Sequence, residues 1–250
     1  PFNGLPWFFD HAETITPKNI ERVRALGGGI AIQHRMAFQG EYFVDRYGKQ
    51  AAESTPPIKR MLAEGVPVGA GTDATRVASY NPWTSLYWLV SGKTVGGTAL
   101  YPEGLSREVA LQLFTQGSAW FSNEQGKKGQ IRVGQLADVA VLSQDYFSVS
   151  EEAIKYLESV LTVVGGKVVY GADEFDKHGN PPLPVLPDWS PVAKVPGHWK
   201  PAAPLQAAVH QCVGSCAVHA HSHERARQSK VPVSDYAGFW GAFGCSCFAF

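Results

Sequence analysis

Cysteine is scarce in this 250-residue chain, and all four, Cys212, Cys216, Cys245 and Cys247, lie near its end, so no disulfide or thiolate metal site can form before residue 212. An excess of charge is also missing. Lys plus Arg and Asp plus Glu number 22 each, which removes the electrostatic case for nucleic acid or an anionic membrane as partner. No run approaches the roughly 18 consecutive apolar residues that span a bilayer. The first ten residues have neither the basic stretch nor the cleavage site of a secretory signal. Internal repeats are absent as well. What remains is a chain with 44% hydrophobic and 18% charged residues, enough apolar content for a real core and too much for general disorder. It opens on Pro and enters an apolar run at once, from which we expect a buried first strand and a fragment of a longer polypeptide.

Short apolar runs alternate with helix-like segments up to about residue 90, the pattern of βα units and a parallel sheet. Trp7-Phe8-Phe9 reads as the first strand, ending in Asp10-His11. Thr16-Pro17 then supplies an N-cap and first helical residue for a helix over 17–26. Gly27-Gly28-Gly29 ends that helix; it follows a helix and precedes a strand, the reverse of a phosphate-binding loop. A second strand covers 29–33, and a long loop with Phe38, Tyr42, Phe43 and Tyr47 leads to a helix over 57–64 with Gly65 as its cap. We expect a third strand over 66–70, ending in Gly71-Thr72-Asp73, then helices over 83–90 and 106–121. After residue 126 the runs become β-like, and 161–170 reads as a hairpin broken at Gly165-Gly166. Residues 181–204 hold 8 of the 17 prolines, which reads as a linker or wrapping arm. The expected organisation is therefore barrel strands over 1–125, part of a β-domain over 126–180, the Pro-rich linker over 181–204 and a Cys/His-rich tail over 205–250.

Functional groups of a parallel αβ barrel collect where strands end and loops begin. His11, Gln33 or His34, and Asp73 fall at such ends in three successive units. Neutral imidazole and ionised carboxylate suit Zn²⁺ or a similar divalent ion, and a carboxylate at such a site can also carry a proton. His11 is a candidate ligand, and Asp73 a candidate ligand and base. A lone His or Asp at a strand end is more often a turn or capping residue; three in register shift that balance. The loop aromatics can line an apolar pocket or pack on a neighbouring helix. Ser118 and Ser122 have no His and Asp in triad-like placement, which argues against a serine hydrolase.

Asp10-His11-Ala12-Glu13, then Gly65-Val66-Pro67-Val68-Gly69-Ala70-Gly71-Thr72-Asp73-Ala74, then Gly134-Gln135-Leu136-Ala137-Asp138-Val139-Ala140-Val141-Leu142 and Val163-Val164-Gly165-Gly166-Lys167-Val168-Val169-Tyr170 stand in an order that resembles the last third of the amidohydrolase superfamily. The branch it is most similar to holds the N-substituted formamide deformylase-like hydrolases, in amidohydrolase family 3. The resemblance implies an α/β fold made of the C-terminal strands of a TIM-like barrel plus part of a β-sandwich. It places His11 on the sixth strand as a metal ligand, Gln33 on the seventh, and Asp73 on the eighth as ligand and base. It further implies a divalent metal, Zn above all, and hydrolysis of a non-peptide, amide-like C–N bond in a small molecule, with homo-oligomer formation left open. Two departures stand out. The ligands of the family's earlier strands are absent, so a catalytically silent remnant or metal-binding module is the rival reading. Gln33 is also followed by His34 where the branch has Pro, leaving His34 as an added substrate contact or a loop residue.

Cys212, Cys216, His219, His221, His223, Cys245 and Cys247 offer enough donors for a closed Zn²⁺ site. In an exported protein the four cysteines would instead form two disulfides, and a tail with no defined role is the third alternative.

Overall fold

A computed structural model describes residues 4–74 and 78–179 of the chain. Three parallel strands, β1 (Phe8–Asp10), β2 (Gly29–Gln33) and β3 (Val68–Gly71), pair in sequence order. The register sets Asp10 beside Ala31 and Gln33 beside Gly71, so the C-terminal ends of β2 and β3 finish level. The expected α/β alternation is present. Among the described residues this sheet is open at both edges.

The connection from β1 to β2 is α1 (Pro17–Ala25), which starts where Thr16 accepts a 3.4 Å bond from the Asn19 N–H. Ile20 and Val23 bury its inner face, and Gly27 ends it with φ +73. Gly28 and Gly29 serve close packing instead. A Cβ on either would overlap the Trp7 or the Trp120 ring, so glycine there lets both indoles close over the sheet.

Between β2 and β3 the expected long loop is replaced by α2 (Arg35–Tyr47), followed by α3 (Lys49–Ala52) and α4 (Ile58–Ala63). Met36, Ala37, Gly40 and Phe43 recur at helical spacing and are buried, which is what holds α2 in place. Two features hide it in the sequence. His34 at its N-cap makes no side-chain capping bond, and Gly40 sits mid-helix, where glycine costs about 1 kcal/mol relative to Ala. The structural reason for Gly40 is Leu100, whose methyls occupy the space a Cβ would need.

After β3 come α5 (Pro82–Ser91), opened by Asn81 accepting from Trp83 N–H at 2.9 Å, and the expected 106–121 helix. The latter is α6 (Arg107–Gln112), a π-helical turn (Leu113–Gly117) and α7 (Ser118–Phe121). A side chain at Gly117 would strike the Val68 carbonyl, so this glycine brings the turn onto β3. An antiparallel sheet follows, with β4 (Val139–Leu142), β5 (Ser159–Val164) and β6 (Lys167–Gly171) in sequence order and α8 (Glu151–Ile154) between the first two. The hairpin expected at Gly165-Gly166 is there. The run at 131–133 forms no strand and is almost fully exposed, with Ile131 at 93%.

The largest fully buried side chains include Trp88, Tyr87, Ile20, Ile30, Ile32 and Met61, together with Ile154 and Leu157 from the α8 region. One core thus runs from the parallel sheet through α5 to α8. Arg107 adds a polar tie, its guanidinium donating to the Tyr146 carbonyl and, at 2.6 Å, to that of Val149. β1 departs from the expected buried strand: Phe8 and Phe9 are 40% and 53% exposed because β1 is an edge strand. No helix among the described residues is long and apolar enough to cross a membrane.

Candidate functional site

The C-terminal ends of the three parallel strands converge on a cleft of about 300 Å³, lined by Asp10, His11, Gln33, Gly71, Asp73 and Ser118 among others. His11 follows β1, and its N–H continues the ladder to Ala31 O at 2.7 Å. The backbone then breaks from extended geometry. His11, Ala12 and Asp73 take φ of 69°, 51° and 49°, left-handed values that side-chain-bearing residues rarely adopt. Such strain persists where surrounding structure holds it, and here it turns the His11 and Asp73 side chains towards each other. His11 Nε2 lies 3.3 Å from Asp73 Oδ2, each side chain 37% exposed.

That separation also tests the pair as metal ligands. Two donors on one tetrahedral Zn²⁺, each at about 2.0–2.1 Å, lie about 3.3–3.4 Å apart. An imidazole nitrogen and a carboxylate oxygen 3.3 Å apart therefore match one edge of such a site in chemistry and in spacing. Among the described residues no three His, Cys, Asp or Glu side chains converge on one point. His11 and Asp73 alone do not close a coordination shell.

Gln33 is 4% exposed overall, yet it lines the cleft. Its amide is fixed at both ends: Nε2 donates to Glu13 and Oε1 accepts from the backbone N–H of Arg35. Glu13 and Arg35 were not singled out from sequence. Arg35 Nη2 stands 3.8 Å from Asp73 Oδ2, with its side chain only 12% exposed. Burial lowers the guanidinium pKa from its usual value while the charges of Glu13 and Asp73 oppose that shift; the group stays a cation. The sequence signal for both was position, Glu13 within the Asp10-His11-Ala12-Glu13 motif and Arg35 just past the end of β2.

His34 lies apart from this lining: its imidazole is fully buried, 0% exposed, and is not among the residues that line the cleft. It packs on the Phe38 ring at 5.3 Å between centroids. The helix carrying Phe38 and Phe43 likewise buries these aromatics against the core instead of lining the cleft. Ser118 Oγ lies 3.0 Å from both the Ala70 and Leu113 carbonyls, a structural staple between β3 and the π turn. Cys212, Cys216, His219, His221, His223, Cys245 and Cys247, with the linker and tail regions, lie outside the described residues.

The model of the amidohydrolase family matches residues 1–170, and the chain belongs to that family. It is similar to YtcJ of Bacillus subtilis strain 168, which carries an amidohydrolase name, at 28% identity over 68% of this chain and 33% of that protein. It is also similar to the N-substituted formamide deformylase of Arthrobacter pascens, at 27% identity over 64% of this chain and 30% of the relative. The chain thus spans about a third of the length of these relatives. Among solved structures, an uncharacterized metal-dependent hydrolase of Pyrococcus horikoshii OT3 superposes with a TM-score of 0.52 at 24% identity. That superposition covers 60% of this chain and 31% of the other, a likeness of fold.

Proposed function

We propose that this chain is part of a metal-dependent hydrolase that cleaves a non-peptide, amide-like C–N bond in a small molecule, with His11 and Asp73 as two of the metal ligands. The observation that carries this reading is the 3.3 Å approach of His11 Nε2 to Asp73 Oδ2 at the cleft, on backbone held in the left-handed region. Family membership and the relatives' names support the reaction class. A divalent ion held there, Zn²⁺ by the donor chemistry, would lower the pKa of water and polarise a carbonyl.

The protein's own groups have separable roles. Asp73 accepts a proton from the attacking water and returns it to the leaving nitrogen. His11 holds its place opposite Asp73 through the ladder bond to Ala31. Arg35, close to Asp73 and nearly buried, limits the rotation of its carboxylate. Gln33, clamped between Glu13 and the Arg35 amide, presents a fixed polar wall to the substrate. The remaining ligands and the rest of the barrel would come from polypeptide outside the described residues.

The test is hydrolysis of a panel of N-substituted formamides and simple amides by the full-length polypeptide, beside Asp73→Asn. Loss of a general base is worth about a hundredfold to ten-thousandfold in rate, so the variant should fall by at least the lower figure. Equal turnover by both proteins would refute the role given to Asp73. A specific observation also keeps the rival in view: the two converging donors are too few for a closed site, and a full-length polypeptide that binds no metal would favour the silent remnant.

A further inference from the structure

Gln33 ends β2, and its side chain is buried yet lines the cleft. Two neighbours decide which way its amide faces. The first is the backbone N–H of Arg35 at the start of α2, one of the donors that a helix N-terminus leaves without an intrahelical acceptor. His34 at the N-cap gives it no side-chain acceptor, and Gln33 Oε1 takes that place. The second is Glu13, whose carboxylate accepts from Gln33 Nε2. A donor on one side and a carboxylate on the other agree on a single orientation, because the reversed amide would set donor against donor and oxygen against oxygen.

The Gln33 amide nitrogen carries two N–H donors, and Glu13 takes one. The other polar side chains of the lining have no such surplus. Asp10 and Asp73, once ionised, only accept. The single O–H of Ser118 lies 3.0 Å from each of two main-chain carbonyls. His11 turns Nε2 to Asp73, and as a ligand through that atom it keeps its one N–H on the far nitrogen of the ring. Gln33 is thus the lining side chain with a donor to spare. An amide substrate brings the matching acceptor, a carbonyl oxygen that gains negative charge as water adds.

We infer that Glu13 is a positioning residue, locking the Gln33 amide in the orientation whose free N–H donates to the carbonyl oxygen of the scissile amide. This rests on the proposed reading of the cleft as a site of amide hydrolysis, and it adds the polarity of the Gln33 contact and the residue that sets it. Removing one donor of this kind costs about a hundredfold to a thousandfold in kcat.

The test is steady-state hydrolysis of a panel of N-substituted formamides and simple amides by the full-length polypeptide, with kcat and KM separated and thermal unfolding in parallel. Wild type is compared with Gln33→Leu, Gln33→Met, Glu13→Leu, Glu13→Gln and Asp73→Asn. Gln33→Leu should lose about a hundredfold to a thousandfold in kcat with little change in KM. Glu13→Leu should lose less, since Arg35 still holds Oε1, and Glu13→Gln, whose own side-chain oxygen can accept from Nε2, should recover most of that loss. If Asp73→Asn is inactive while Gln33→Leu keeps its kcat, or while Glu13→Leu matches wild type, the inference fails alone. If wild type turns over no amide, the inference falls together with the reading beneath it. Should Gln33→Leu fail to fold, Gln33→Met, of similar length and without a donor, decides: kcat lost with native unfolding supports the contact, and kcat retained overturns it.

Discussion

Ile30 and Ile32 of β2, the middle strand of the parallel sheet, are 0% and 2% exposed, whereas Val139 and Val141 of β4, an edge strand of the antiparallel sheet, are 36% and 40% exposed. The first sheet has α7 against β2 and β3 and the π-helical turn against β3, and Ile30 and Ile32 share one buried cluster with Ile20 and Val23 of α1. The second is joined to that core through Tyr146, Ile154 and Leu157 and leaves Val164, Val169 and Tyr170 about half exposed. Asp73 follows β3 and His11 follows the edge strand β1, and both take left-handed backbone; Asp173, just past β6 of the antiparallel sheet, takes it too, with φ 50°. What separates the two sheets is the cleft, which no strand residue of the antiparallel sheet reaches.

Substitutions should separate the two regions sharply. Trp88 is fully buried in α5, the helix that packs against α8. Trp88→Ala should cost about 3–5 kcal/mol, the range for removing a buried large aromatic, and urea unfolding of the variant checks it. A loss below about 1 kcal/mol would mean that α5 is not the joint described here.

Acid should act next most strongly, and through the first region. The His34 imidazole titrates at the ordinary value of 6.5 when unfolded and at about 4 when folded. Between those values the unfolded chain binds more protons, so stability falls as pH drops through that window and this contribution is flat above it. The shift corresponds to about 3 kcal/mol lost by the lower limit. Urea midpoints at about pH 7 and pH 4.5 should show a smaller difference in His34→Leu than in wild type; identical differences would place the buried titration elsewhere.

The smallest effect belongs to the second region. Ile131, 93% exposed, should tolerate Ile131→Ser within about 0.5 kcal/mol. A larger loss in the same urea measurement would show that this surface is covered in solution.

The sequence carries much of the parallel sheet because its signals are local: an apolar run, a Thr16-Pro17 cap, a glycine stop and a polar residue at each strand end. Helix α2 was illegible for the opposite reason. It has no side-chain cap, it contains Gly40, and the contact with Leu100 that makes Gly40 necessary lies sixty residues away. Gln33 and His34 are equally polar neighbours, and only the registered position of β2 decides that the first lines the cleft while the second is buried. Arg35 escaped notice because its approach to Asp73 joins the start of α2 to the loop after β3. The exposure of β1 was hidden too, since Phe8 and Phe9 look alike in a central strand and an edge strand.

The central claim is that His11 and Asp73 together hold a metal ion, and metal content measures it most directly. The full-length polypeptide, prepared under reducing conditions and dialysed, would be compared with His11→Ala, Asp73→Asn and Cys212→Ser plus Cys216→Ser by elemental analysis. The account predicts that bound metal falls in each of the first two variants and holds in the cysteine pair. Metal unchanged in His11→Ala and Asp73→Asn but lost from the cysteine pair would contradict it and move the metal site to the C-terminal cluster.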